Sequence, residues 1–377
     1  NQYMAAFLVL SGLMIGVFSA LDGMLFYVFF AATLIPMYLI IGVWGGPNKI
    51  YAAFKYFLYM LMGSLLMLIT MIYLYVKSGG SFDLTIWYAM PLSATAQTLV
   101  FFGFFAAFAV KIPMWPVHTW LPDVHVEAPT GGSAILAAIM LKLGAYGFIR
   151  FAMPIAPDAA HEWAWLMITL SLIAIIYVGV VALVQPDMKR LVAYSSVAHM
   201  GFVTLGFFIF NELGIAGGIV QMIAHGFGAA ATFLCIGVLY DRVHSPQIAD
   251  YGGVINVMPK FAAFALLFAM ANSGLPGTVG FVGEWMVILG GVKFNFWVGL
   301  AAASALIWAA GYTLWMYKRV YLGPVANDHV KAMPDINSRE FLMLTLLAIA
   351  VLYVGVYPKP MTDVMNASVV DLLKHLA

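Results

Sequence analysis

The chain has 377 residues, of which 64% are apolar and 9% charged, with 17 Lys and Arg against 16 Asp and Glu. An ordinary soluble domain carries about 25% charged residues, so the composition excludes a soluble globule and a disordered chain. With no basic surface to meet phosphates, it excludes a nucleic-acid binder as well. A single cysteine, Cys235, leaves no disulfide framework and no cysteine-based metal site. What remains is an all-α polytopic membrane protein.

A helix that crosses a bilayer needs about 20 mostly apolar residues. Taken in chain order, the apolar runs predict eleven crossings: about 3–21, 24–44, 52–76, 97–121, 131–150, 164–184, 188–210, 214–240, 258–292 (broken), 296–318 and 340–357. The first run starts almost at Asn1 with no charged leader before it, so residue 1 reads as an internal position with earlier helices absent. Nine Lys and Arg, Lys49, Lys189, Arg190 and Arg242 among them, fall at helix ends on the side of the amino terminus, against five on the other side. That bias places the amino-terminal side in the cytoplasm and the carboxyl terminus outside.

Few ionisable groups lie inside the spans. Lys111 is about fourteen residues into its run and Lys142 about twelve into the next, both near the bilayer centre. A charged Lys at that depth costs about 2.5–3.5 kcal/mol on insertion scales, so it faces a partner or a hydrated cavity. Burial disfavours the charged form, which lets a buried Lys take and release protons. The competing reading is a structural Lys capping carbonyls at a helix break. Lys55 is only four residues into its run and can snorkel, so a structural role weighs as much as a functional one. Glu284 is the one carboxylate within a span.

Two breaks accompany these residues. In Lys111-Ile-Pro-Met-Trp-Pro116 the two prolines remove amide donors and open the helix. The second break reads Asn272-Ser-Gly-Leu-Pro-Gly-Thr-Val-Gly280, just before Glu284. Open backbone at membrane depth is tolerated only against protein or a wet cavity. Breaks at corresponding positions of two five-helix sets are the mark of inverted repeats, here expected over residues 1–150 and 151–318, with 319–377 holding a loop and the last crossing.

His199 and His225 each sit about eleven residues into their spans. Either can relay a proton through its two ring nitrogens or serve as a hydrogen-bonded packing residue. His118 and His125 flank a Trp120–Asp123 turn and are expected to order that loop, their spacing being poor for a metal. There is no Gly-x-Ser-x-Gly, P-loop or Gly-x-Gly-x-x-Gly, and no haem or Fe–S ligand set, so the chain encodes no redox site of its own.

The stretches FFGFFAAFAVKIPMWPVHTWL (Phe101–Leu121), PDVHVEAPTGGS (Pro122–Ser133), MLKLGAYGFIR (Met140–Arg150) and DMKRLVAYSSVAHMGF (Asp187–Phe202) resemble the antiporter-like membrane subunits of respiratory complex I, NADH:quinone oxidoreductase. LIPMYLIIGVWGG (Leu34–Gly46), QMIAHGF (Gln221–Phe227) and GLPGTVGFVGEW (Gly274–Trp285) resemble its chain 4, or subunit M, branch. The resemblance runs over essentially the whole chain. It implies two inverted five-helix repeats in a bacterial or mitochondrial inner membrane and a fourteen-helix parent, of which about three helices precede this chain. It also implies proton translocation driven by quinone reduction in other subunits. NADH, FMN, Fe–S clusters and quinone belong to those partners, and sister antiporter-like subunits and the lipid bilayer surround the chain.

Carried over by position, Lys111 is the lysine of the first broken helix, Lys142 the connecting lysine, His225 the relay histidine and Glu284 the carboxylate of the second broken helix. Lys55 and His199 are further candidates. The family Glu that pairs with the first lysine is Ala31 here, within Phe29-Phe-Ala-Ala-Thr-Leu-Ile-Pro36. Lys111 is therefore expected to lack its counter-charge, and proton translocation to be weakened. Two other readings stay open: a subunit of a multi-subunit Na+/H+ antiporter, and a scaffold subunit in which Ala31 has silenced transport.

Overall fold

A computed structural model describes all 377 residues. The chain is a bundle of long apolar helices without a sheet: α1 (Gln2–Ser19), α2 (Gly23–Trp44), α3 (Lys49–Lys77), α4 (Ala94–Lys111), α5 (Trp120–Glu127), α6 (Thr130–Ile155), α7 (Ala164–Leu183), α8 (Met188–Phe208), α9 (Glu212–Val243), α10 (Pro259–Asn272), α11 (Val279–Phe294), α12 (Phe296–Tyr321), α13 (Ser338–Val356) and α14 (Lys359–Leu376). Ten of these are long and apolar enough to cross a membrane. The expected eleventh crossing is the pair α10–α11, whose halves of 14 and 16 residues are each too short to span alone.

The first break follows from the prolines, and its freed backbone groups are accounted for. Pro113 has no amide for the Ala109 carbonyl, which accepts from the Met114 amide at 2.7 Å instead. The Val110 carbonyl is taken by the Trp120 indole N–H at 2.9 Å. An open helix end inside the bundle thus keeps its partners. At the second break Gly274 and Gly277 adopt φ of +76° and +91°, a region that only glycine enters without strain, and the Asn272 amide donates to Thr313 Oγ1 at 2.9 Å.

One expectation needs correction. Residues 120–127 form helix α5 rather than a turn, because the Thr119–Glu127 stretch has an apolar face that packs between α3 and α8. Helix α6 runs to Ile155 and α12 to Tyr321. The segment after 319 holds a second helix, α14, whose amphipathic pattern is invisible to a search for apolar runs.

Side-chain clamps tie the ends. Asp123 on α5 accepts from Lys55 on α3 at 2.6 Å and from Arg190 on α8 at 3.0 Å. Arg242 at the end of α9 holds Glu340 of α13 with two bonds of 3.1 and 2.9 Å, and Glu340 also closes a capping box with Asn337. The interior forms two apolar clusters, one drawn mainly from α1–α8 and the other mainly from α8–α13. The helices α6, α7, α8, α9, α11 and α12 contribute to both.

The tightest contact among these is α9 on α11, made possible by small residues. A Cβ at Gly283 would lie 2.7 Å from the Cα and amide nitrogen of Gln221. Gly283→Ala is therefore expected to lower stability by roughly 1–3 kcal/mol, the usual cost of overpacking, read as a fall in Tm of the detergent-solubilised protein. Gly12→Ala, where an added methyl meets nothing within 4 Å, leaves Tm unchanged or slightly raised. An equal fall in both variants would refute the close-approach argument.

Candidate functional site

Lys142, His199, His225 and Glu284 stand on α6, α8, α9 and α11, four of the helices that contribute to both apolar clusters. All four side chains are buried, none more than 5% exposed. Just before Lys142, α6 widens into a π-helical turn over Leu136–Met140. Such a turn shifts the backbone bonds and frees a carbonyl. Lys142 Nζ donates to the Ala137 carbonyl at 2.6 Å and to His225 Nδ1, also at 2.6 Å. A protonated Lys offers only donors, so Nδ1 accepts and the His225 proton sits on Nε2.

His225 and His199 face each other across α9 and α8 with ring centroids 5.8 Å apart. His199 Nδ1 meets Glu284 Oε1 at 2.6 Å. With the carboxylate accepting, Nδ1 donates, and the Tyr312 hydroxyl donates to Nε2 of the neutral ring at 3.3 Å. Gln221 Nε2 donates to the same Glu284 oxygen at 3.0 Å. The result is two short contacts, Lys142–His225 and His199–Glu284, separated by one gap between imidazoles.

That gap has a particular character. A cavity of about 10 Å³ is lined by His199, Gln221, His225, Gly228, Asn272 and Glu284 among others. Three buried polar atoms of these residues have no protein partner: His225 Nε2, Gln221 Oε1 and Glu284 Oε2. One water needs at least roughly 10–15 Å³ and two to four polar neighbours, so the space and its lining match a single water between the rings.

Lys111 stands apart from this line. Its Nζ donates to Thr33 Oγ1 at 3.3 Å and lies 5.1 Å from the Phe30 ring centroid, and it makes no ion pair. Thr33 sits at the kink of α2 and returns its own hydroxyl proton to the Phe30 carbonyl at 2.7 Å. Ala31, two residues earlier, offers no polar atom. The two lysines are nonetheless on touching helices: a Cβ at Gly144 would lie 3.0 Å from Lys111 Cβ.

Lys55 is not brought to the line but to Asp123, as an ion pair on the rim. His125, expected to order a loop, is instead fully buried on α5, stacked on Phe233 at 4.5 Å, with both ring nitrogens unpartnered. Two participants were not foreseen. Gln221 is one helical turn before His225 and so on the same face, a spacing that could have revealed it. Tyr312 carries no such signal.

The profile of the NADH:quinone oxidoreductase/Mrp antiporter transmembrane family matches residues 20–308. NADH-quinone oxidoreductase subunit M of Rhodobacter capsulatus is 50% identical, across 100% of this chain and 76% of that protein. NADH-ubiquinone oxidoreductase chain 4 of Arabidopsis thaliana is 46% identical with the same coverage. A solved structure of respiratory complex I from Thermus thermophilus superposes with a TM-score of 0.95 at 33% identity, over 100% of this chain and 80% of that one. The Mrp complex from Dietzia sp. superposes at 0.87 over 98% of this chain and 79% of that one, and at 19% identity it is a likeness of fold alone. With a break and a buried ionisable residue in each half of the matched region, and relatives matched along its whole length, the chain belongs to the NADH:quinone oxidoreductase/Mrp antiporter family of membrane subunits.

Proposed function

We propose that this chain is a non-redox membrane subunit of an NADH:quinone oxidoreductase that carries protons along Lys142, His225, His199 and Glu284. Quinone reduction in partner subunits drives it, and those partners hold NADH, FMN, Fe–S clusters and quinone. The observation that carries this reading is the buried alternation of donors and acceptors from Lys142 to Glu284, two 2.6 Å contacts with one gap between them. In a low dielectric the charge state of each group biases the next, so a proton arriving at one end is felt at the other. A first unit of α1–α6 and a second of α7–α12 would each place a broken span fourth, with Lys111 entering from the first. The Lys/Arg bias puts the α14 side outside the cytoplasm. The antiporter alternative rests on a likeness of fold at 19% identity, whereas relatives at 45–50% identity carry the oxidoreductase subunit name.

Glu284→Gln combined with Lys142→Ala is expected to abolish NADH-driven proton uptake into membrane vesicles while the complex still assembles on native gels. Full uptake in that variant contradicts the relay. NADH-dependent quinone reduction by the purified assembly separates this reading from a sodium antiporter, which lacks it.

The gap generates a second test. Gly228 lines the cavity, and a Cβ added there meets nothing within 4 Å. Gly228→Ala is expected to leave Tm unchanged and to slow proton uptake on the order of ten-fold or more, since a lost proton-transfer partner commonly costs 10²–10⁴. Uptake at the wild-type rate would remove the bridging water from the mechanism.

Lys111 supplies a third. Ala31→Glu should raise proton uptake by giving the buried lysine a counter-charge; no change would sink the claim that residue 31 weakens transport.

A further inference from the structure

One cavity outside the line is both charged and greasy. It has a volume of about 480 Å³ and lies under α14, between the ends of α6 and α9. Arg150, Lys374 and Asp371 form its polar part, and Ile149, Ile215 and Ile219 its apolar wall. Arg150 and Ile219 are within about 10 Å of their helix ends at a rise of 1.5 Å per residue, so the cavity sits at the depth where acyl chains give way to headgroups.

The roof is fastened in place. His375 Nε2 of α14 donates to the Pro154 carbonyl at 2.8 Å, and His161 Nε2 donates to the Leu376 carbonyl at 3.0 Å. Beneath it the Tyr88 hydroxyl donates to the Arg150 carbonyl at 2.7 Å. The Arg150 guanidinium itself is left over: it makes no ion pair, and its buried Nε has no hydrogen-bond partner. A buried donor of a cation without an acceptor is costly. Arg150 and Lys374 against Asp371 leave one positive charge in surplus, the complement of one phosphodiester.

We propose that this cavity binds a membrane phospholipid, its phosphodiester on Arg150 and Lys374 and an acyl chain along Ile149, Ile215 and Ile219. Guanidinium suits phosphate because its planar fork donates two parallel bonds. The aliphatic wall selects a lipid over a free anion, which has no use for it. Asp371 on the rim meets a headgroup hydroxyl or ammonium and disfavours a second phosphate. A lipid held there links α14 to α6 and α9, joining the amphipathic helix to the membrane bundle.

The assembled complex in detergent is stripped of lipid and offered dioleoylphosphatidylglycerol, with bound lipid counted by mass spectrometry. Arg150→Gln with Lys374→Gln should retain it about ten-fold more weakly at this site, the scale of a lost charge-assisted hydrogen bond. Ile219→Trp, which fills the apolar half and leaves both cations, should give the same loss. In the wild-type complex, amide hydrogen exchange over residues 368–376 should slow on adding the phospholipid and not on adding dioleoylglycerol. Equal retention in all three proteins overturns the proposal, as does equal protection by dioleoylglycerol. Displacement of the lipid by inorganic phosphate would make it a free-anion site and overturn it too.

Discussion

A charge inside a membrane must find its partner within the protein, and the irregularities around Lys142 and Glu284 answer to that constraint. Lys142 at bilayer depth would be costly on a regular helix whose carbonyls are all engaged. The π-turn over Leu136–Met140 releases the Ala137 carbonyl, and the ammonium takes it together with His225. Glu284 receives His199 and Gln221. The polar line is then a consequence of satisfying each group in turn, because every residue that stabilises a charge carries a further donor or acceptor that points to the next.

Packing makes that chain of partners possible. Glu284 and Gln221 meet because Gly283 lets α11 come within a methyl's width of the α9 backbone. α6 approaches α4 through Gly144 in the same way. In lipid, helices gain little from apolar burial alone, and close backbone approach supplies the attraction instead. The two apolar clusters meet on α6, α7, α8, α9, α11 and α12, and the polar residues run along four of these helices.

Much of this was legible in the sequence because lysine, proline and glycine at membrane depth have few structural excuses. Lys111, Lys142 and Glu284 announce themselves by depth, and the two breaks by Pro113, Pro116, Gly274 and Gly277, whose backbone demands are local. What was not legible depends on partners distant in sequence. Tyr312 reads as one more interfacial aromatic until the fold sets its hydroxyl 3.3 Å from His199. The α5 helix was hidden because Pro122 and two histidines look like a loop, while its helical state depends on burial between α3 and α8. Helix α14 was hidden because its face is amphipathic. Lys55 illustrates the reverse: its depth left it ambiguous, and only Asp123, 68 residues on, decides for an ion pair.

Lys111 and Lys142 are therefore not equivalent, although they occupy touching helices. Lys142 has a carbonyl, an imidazole and, through His199, a carboxylate arranged behind it. Lys111 has one hydroxyl and an aromatic face. A hydroxyl that already donates to Phe30 can accept the lysine's bond but cannot balance its charge, and a ring contributes about 0.5–2 kcal/mol of attraction to a cation. Ala31, two residues before Thr33, brings no side-chain group that could balance that charge.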